Sequence, residues 1–242
     1  MKTFKTLVLL LLVVSMSSCN FDINFGQVDG NGEVTTENRI DNESFDEVKT
    51  SSGIDVYLTE GTTTKVVVEA DSNLQDIITT YIENGRLVIG TKEGENIGKA
   101  KAKKVYVTYI ALDKIQASSG SDVTVNDILK SENLELDASS GADIEVEIFS
   151  KMVYAEASSG ADITVSGKAS NLNADASSGA DIDAKDLLVV TCTAEASSGA
   201  GVTVNVKDSL EASASSGGDI NYYGNPAAVN NKSSRSGDVE KM

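Results

Sequence analysis

The chain has 242 residues, 20 of them basic and 37 acidic, with no His, no Trp and two Cys, for a net charge of −17 at pH 7. So acidic a surface repels phosphate backbones, which excludes nucleic acid as a partner and leaves cations, basic proteins and neutral glycans. Without His there is neither a His-activated nucleophile nor a ligand set for zinc.

The N-terminus reads as an export signal. Lys2 and Lys5 precede an unbroken apolar run over residues 7–14, too short for a permanent bilayer span. Small residues (Ser15, Ser17, Ser18, with Met16 where Leu is usual) lead to Cys19 in a lipobox-like arrangement. Residues 1–18 are therefore predicted to be a signal peptide and Cys19 the lipidated first residue, held to the membrane by its acyl chains. Removing residues 1–18, which carry two Lys and no acid, takes the net charge from −17 to −19. Asn20, in place of the Asp linked to inner-membrane retention, points to the outer membrane, its periplasmic and surface faces both left open. Cys192 then has no partner, so no intrachain disulfide forms.

Residues 19–42 comprise the lipidated Cys and a polar linker with a strand near its end. Strands are predicted over residues 45–50, 54–59 and 65–70, and one helical turn leading into a strand over 74–83. Asn84-Gly85 is a type I′ hairpin signal joining that strand to Leu87, Val88 and Ile89. A Lys/Gly/Glu-rich loop then leads to a strand at 105–107. This β region, residues 43–117, is expected to cap the open N-terminal end of the downstream repeats.

From residue 118 to 242 one repeat dominates. Ser-Ser-Gly recurs at Ser118, Ser139, Ser158, Ser177, Ser197 and Ser215, at intervals of 21, 19, 19, 20 and 18 residues. A degenerate copy spans residues 234–237, and an outlying early copy is Ser51-Ser52-Gly53. Ala stands before each of the six (Ala117, Ala138, Ala157, Ala176, Ala196, Ala214), and Leu134, Val153, Leu172, Cys192 and Leu210 share a position further back. Apolar residues at every second position on both sides of a Gly-containing turn mean strand, turn, strand with one face buried. A unit this short buries that face only by stacking on its neighbours. The predicted fold is all-β: a right-handed parallel β-helix with coils of 19–20 residues and an N-terminal β cap, residues 43–242 forming one continuous domain. Seven coils at the spacing of β-strands would rise about 30–35 Å. The glycines are expected in left-handed conformation at a corner where only Ala fits inside. Tyr222 to Pro226 interrupts the pattern and is expected to begin a C-terminal cap.

Phe45, Gly53-Ile54-Asp55-Val56, Gly85 to Ile89, the serial Ser-Gly-x-Asp turns and Tyr223-Gly224-Asn225-Pro226 together resemble the family of putative auto-transporter adhesins with a head GIN domain, common among Bacteroidetes lipoproteins. The resemblance covers about residues 40–240, with Asp55 where the family's name suggests Asn. It implies a β-helix and an adhesive role, and brings no catalytic residues.

One outward position after each turn holds Asp122, Asp143, Asp162, Asp181 and Asp219, with Asp55 and Asp238 outlying and Gly201 interrupting. Carboxylates on neighbouring coils repel by roughly 1 kcal/mol even in water, so something must offset the column. Ca²⁺ bridging is one reading; hydrogen bonding of each Asp to its own turn is the preferred one. Six equivalent Ser-Ser turns without a base do not make a nucleophile, and Cys192 reads as core. The expected function is a lipid-anchored envelope adhesin binding glycan, matrix or protein, without cofactor; self-association through a flat face is left open. A structural lipoprotein without external ligand is the alternative, and a polysaccharide lyase or hydrolase is the less favoured one.

Overall fold

The computed structural model describes residues 27–242, so the expected signal peptide and Cys19 lie outside the described residues. The fold is an all-β parallel solenoid of about seven turns, 68% strand, with coils about 19 residues apart. No helix among the described residues is long and apolar enough to cross a membrane.

The strand Asp143–Ser158 shows how the sequence makes a coil. Ile144, Val146 and Ile148 point inward in alternation, and so do Val153, Ala155 and Ala157. The alternation slips at residues 151 and 152, because there the chain bends from one sheet into the other. This bend is one corner of the coil; the Ser-Ser-Gly turn is the other. The next strand, Asp162–Ser177, stacks parallel on the first, from Asp143 beside Asp162 to Ser158 beside Ser177. Like residues therefore superimpose. Leu134, Val153, Leu172, Cys192 and Leu210 form one buried column, and burial pushes the Cys192 thiol pKa up to about 12.

Coils of unequal length must lose register somewhere, and they lose it on the stretch leading to the second corner. The ladder shifts between Thr164 and Gly167, and again between Ala184 and Leu188, as β-bulges do where one strand carries extra residues. Gly167 takes φ +103°, and a Cβ there would overlap the carbonyl oxygen of Ile148. No side chain fits.

The first corner keeps its length in every copy. The second Ser of each of the six triplets has φ between +52° and +57°, and the Gly between +69° and +79°. With Ser121 N–H donating to Ser118 O at 3.3 Å, this is a type I′ turn. The left-handed Gly was legible in the sequence, whereas the left-handed Ser is a surprise, since an L-residue there costs roughly 1–2 kcal/mol. Bonds between successive turns oppose that cost: Ser140 and Gly141 N–H donate to the Ser158 and Ser159 carbonyls, both at 3.2 Å. Inside the corner the Ala column is buried as expected. A second buried small column lies beside it, comprising Ser121, Ala142, Ala161, Ala180 and Ala200. It ends in Gly218 and Gly237, where a Cβ would overlap backbone of the preceding coil.

Two expectations need correction. The strands Glu47–Thr50 and Asp55–Glu60 do not cap the solenoid; they are a coil of it. They pair parallel with Lys114–Ser118 and Asp122–Val125 on one side, and with Arg86–Thr91 and Lys103–Tyr109 on the other. Ser52 and Gly53 repeat the left-handed turn, at φ +70° and +68°. The early Ser-Ser-Gly is thus a true copy, displaced in sequence but not in space. The cap consists of Val34–Asp41, Lys65–Asp71 and Ile78–Glu83, all paired antiparallel. The Asn84-Gly85 hairpin lies where predicted, and the helical turn, a 3-10 turn over Ser72–Leu74, comes two residues earlier than expected, ahead of the strand Ile78–Glu83. Buried Asp71 ties this cap together by accepting the N–H groups of Gly32, Lys101 and Ala102 at 3.1–3.2 Å. Burial raises its pKa, and the amide donors with Lys101 outweigh that and hold it below the ordinary 3.8.

At the far end, Pro226 does not begin a cap. Ala228–Asn231 and Asp238–Lys241 continue both sheets as a further parallel coil. Its outer edge has no partner among the described residues. Val229, in the inward column of Leu210, is 43% exposed there.

Candidate binding surface

Alternation dictates the surface as firmly as the core, because each buried residue leaves its neighbour facing water. Asp122, Asp143, Asp162 and Asp181 stand in one column, which Asp55 extends at one end. Gly201 interrupts it before Asp219 and Asp238. All five predicted carboxylates are brought together. At Gly201 a Cβ would overlap the Asp181 carboxylate, which has moved into the vacant place. A gap in the charge ladder is thereby filled by its neighbour.

The expected hydrogen bonds from these carboxylates to the Ser-Ser-Gly turns are not made. Asp238 accepts only the adjacent Val239 N–H, at 2.9 Å. The strain shows in the titration instead. Partial burial, then the charge of Asp55, raise the Asp122 pKa against a smaller pull from Lys103. Partial burial, then Asp122 and Asp162, raise that of Asp143 against the Asp162 amide. Nor do the carboxylates converge. Ca²⁺ takes six to eight oxygens around one point, and a straight column presents them one per coil. No group of three or more acidic, His or Cys ligands among the described residues is placed to hold a metal ion.

A second acidic column was overlooked in the sequence. Asp137, Glu156, Asp175 and Glu195 superimpose on the other sheet, each just before the Ala of its turn. The mixture of Asp and Glu hid it, although its position is as regular as that of the Ala. Gln116 Nε2 donates to Asp137 Oδ2 at 2.8 Å and closes one end. The Ser-Ser-Gly corner is therefore flanked by carboxylates on both sides. Beside the second column, Tyr154, Glu156, Asn173, Asp175, Thr193 and Glu195 line an open groove of about 400 Å³ that crosses three coils.

A family model described as "Putative auto-transporter adhesin, head GIN domain" matches residues 44–226. No curated protein matches the sequence. In fold the chain is similar to a putative adhesin from Bacteroides fragilis NCTC 9343, at 17% identity and a TM-score of 0.83, over 89% of this chain and 100% of that one. A putative adhesin from Parabacteroides merdae ATCC 43184 aligns at 22% identity and TM-score 0.69, over 90% of this chain and 99% of that one. A structure from Parabacteroides distasonis ATCC 8503, described as a putative lipid binding protein, aligns at 17% identity and TM-score 0.66, over 89% and 99%. At such identities the likeness establishes the fold alone.

Proposed function

Since the chain belongs to the head GIN domain family of putative auto-transporter adhesins, we propose that it is a lipid-anchored, adhesin-like binding module of the outer membrane. The observation that carries this reading is the outward chemistry in register on a rigid scaffold: two carboxylate columns and a groove spanning three coils. A surface that repeats every coil, about 4.8 Å, suits an extended partner with a repeat of its own. The charge of these two faces favours basic protein segments and neutral glycans over polyanions. Tyr154 offers the groove an apolar ring with a polar tip, and Asn173 and Thr193 offer hydrogen bonds.

A non-enzymatic role fits the same geometry. The six turns are near-copies, so none is set apart as a reactive centre, and an adhesive surface gains from that sameness. Anchoring through Cys19 would leave the rod free to meet partners outside the membrane. Protease treatment of intact cells tests the proposal. The chain is expected to be digested, and full protection under conditions that cleave a known surface protein would refute an adhesive role.

A further inference from the structure

The corner opposite Ser-Ser-Gly has a different chemistry. Of the five lysines between residues 118 and 225, four (Lys130, Lys151, Lys168 and Lys207) fall at or beside the bend between the sheets, and Lys185 lies in the bulge before it, paired with Asp183. Phe149 projects there, 61% exposed. In register with it, Lys130 stands on the coil to one side and Lys168 on the coil to the other. The fold does not require a ring at this position, since the equivalent residues on the other coils are Lys130, Lys168, Leu188 and Asn205. Phe149 is the most exposed aromatic among the described residues, whereas Tyr106 is stacked on Tyr57 with ring centres 5.4 Å apart. A cavity of about 440 Å³ adjoins Phe149 and is lined also by Lys130, Ser131, Glu132, Ser150, Lys151 and Ser170. Lys151 is paired with Glu132, whereas Lys130 and Lys168 form no ion pair among the described residues.

We propose that this corner is a binding site for an acidic oligosaccharide, with Phe149 as its platform. The C–H face of a pyranose stacks on an aromatic ring, whose face carries the negative lobe of its quadrupole. Of the hydroxyls in the same cavity, that of Ser170 has no partner among the described residues and can meet the sugar as donor or acceptor, whereas those of Ser131 and Ser150 donate to Asp113 Oδ1 and the Met152 carbonyl and offer only a lone pair. Lys130 and Lys168 are two coils apart, about 10 Å. They bracket the ring as partners for carboxylates or sulfates on alternate sugar residues. The acidic columns do not forbid this. Asp143 lies six residues from Phe149, about 20 Å along the strand, more than twice the Debye length of about 8 Å at physiological salt. The nearer carboxylates are Glu132, which Lys151 engages, and Glu147, two residues from Phe149 on the same outward face, against which Lys130 and Lys168 leave a positive surplus. This site is separate from the acidic faces, so either assignment stands or falls alone.

Calorimetric titration of the full chain carrying Cys19→Ser, with a chondroitin sulfate hexasaccharide as probe, tests it. Saturable binding is expected, weakened at least tenfold by Phe149→Ala and severalfold by Lys168→Ala, and unchanged by Lys92→Ala, an exposed lysine just after the strand Arg86–Thr91. Phosphatidylglycerol vesicles are titrated in parallel. Absence of saturable binding to the hexasaccharide overturns the proposal, as does binding indifferent to Phe149→Ala. Phe149-dependent binding of vesicles but not of the sugar also overturns it, in favour of a membrane surface.

Discussion

Replacing Ser159 by Asn should stabilise the protein. Ser159 occupies the first central position of a type I′ turn at φ +57°, a conformation that Asn tolerates far better. The strain released is roughly 1–2 kcal/mol at most, and Ser itself recovers part of it, so a gain of about 1 kcal/mol is expected. Gly would relieve the strain too, but would return about 0.5–1 kcal/mol through the entropy of the unfolded chain. The site has room: Ser159 is exposed, and the space where a Cβ on adjacent Gly160 would lie is open to 4 Å. The bond to this turn from the Gly141 N–H is accepted by the backbone carbonyl and survives the change. For a domain of this size the thermal midpoint should rise by about 2–4 °C. Urea denaturation monitored by circular dichroism reads the same gain as a higher midpoint at unchanged slope. A lower midpoint at unchanged slope would refute the reasoning, because the Ser hydroxyl would then be contributing more than the backbone strain removes.

Gly167→Ala should cost about 3 kcal/mol or more, combining the penalty of an unfavourable φ with overlap on the Ile148 carbonyl. Gly141→Ala, where a Cβ meets open space, should cost only about 1–2 kcal/mol; equal urea midpoints for the two variants would contradict that ranking. The carboxylates predict opposite pH responses. Asp71 has a lowered folded-state pKa, so its contribution is present above the ordinary 3.8 and is lost as pH falls through the folded value. Asp71→Asn should therefore destabilise more at pH 7 than in acid. Asp143 has a raised pKa, so its charge opposes folding at neutral pH and protonation relieves it as pH falls toward 3.8. Asp143→Asn should stabilise at pH 7, with its advantage shrinking by pH 3.5. Paired denaturation at the two pH values checks both signs.

The inward columns were legible in the sequence because a parallel solenoid writes each structural position as a residue repeated at coil spacing. Cys192 among Leu and Val is the clearest case, since one unlike letter still falls in the right place. Periodicity failed wherever pairing is not sequential. Ser51-Ser52-Gly53 gives the same local signal as the later turns, but nothing in the residues says that coil 47–60 lies between 86–109 and 114–125. Tyr222 to Pro226 looks like a terminus because its side chains change character, yet backbone pairing tolerates that change. The Asp column was found by residue identity, and identity could not reveal that its carboxylates bond to no turn. The Asp137 column, equally regular in position, escaped because its letters vary. Phe149 and the lysines beside it became a group only once the register had placed them on adjacent coils.

The displaced coil also governs how the molecule comes together. When residues 47–60 have been synthesised neither of their flanking strands exists yet, and about thirty more residues must follow before the first is complete. The N-terminal half must therefore assemble as one cooperative block. Each later coil needs only the preceding one as its template. Repeats can then be gained or lost downstream of that block without disturbing it, which makes the reach of the rod an adjustable quantity over evolutionary time.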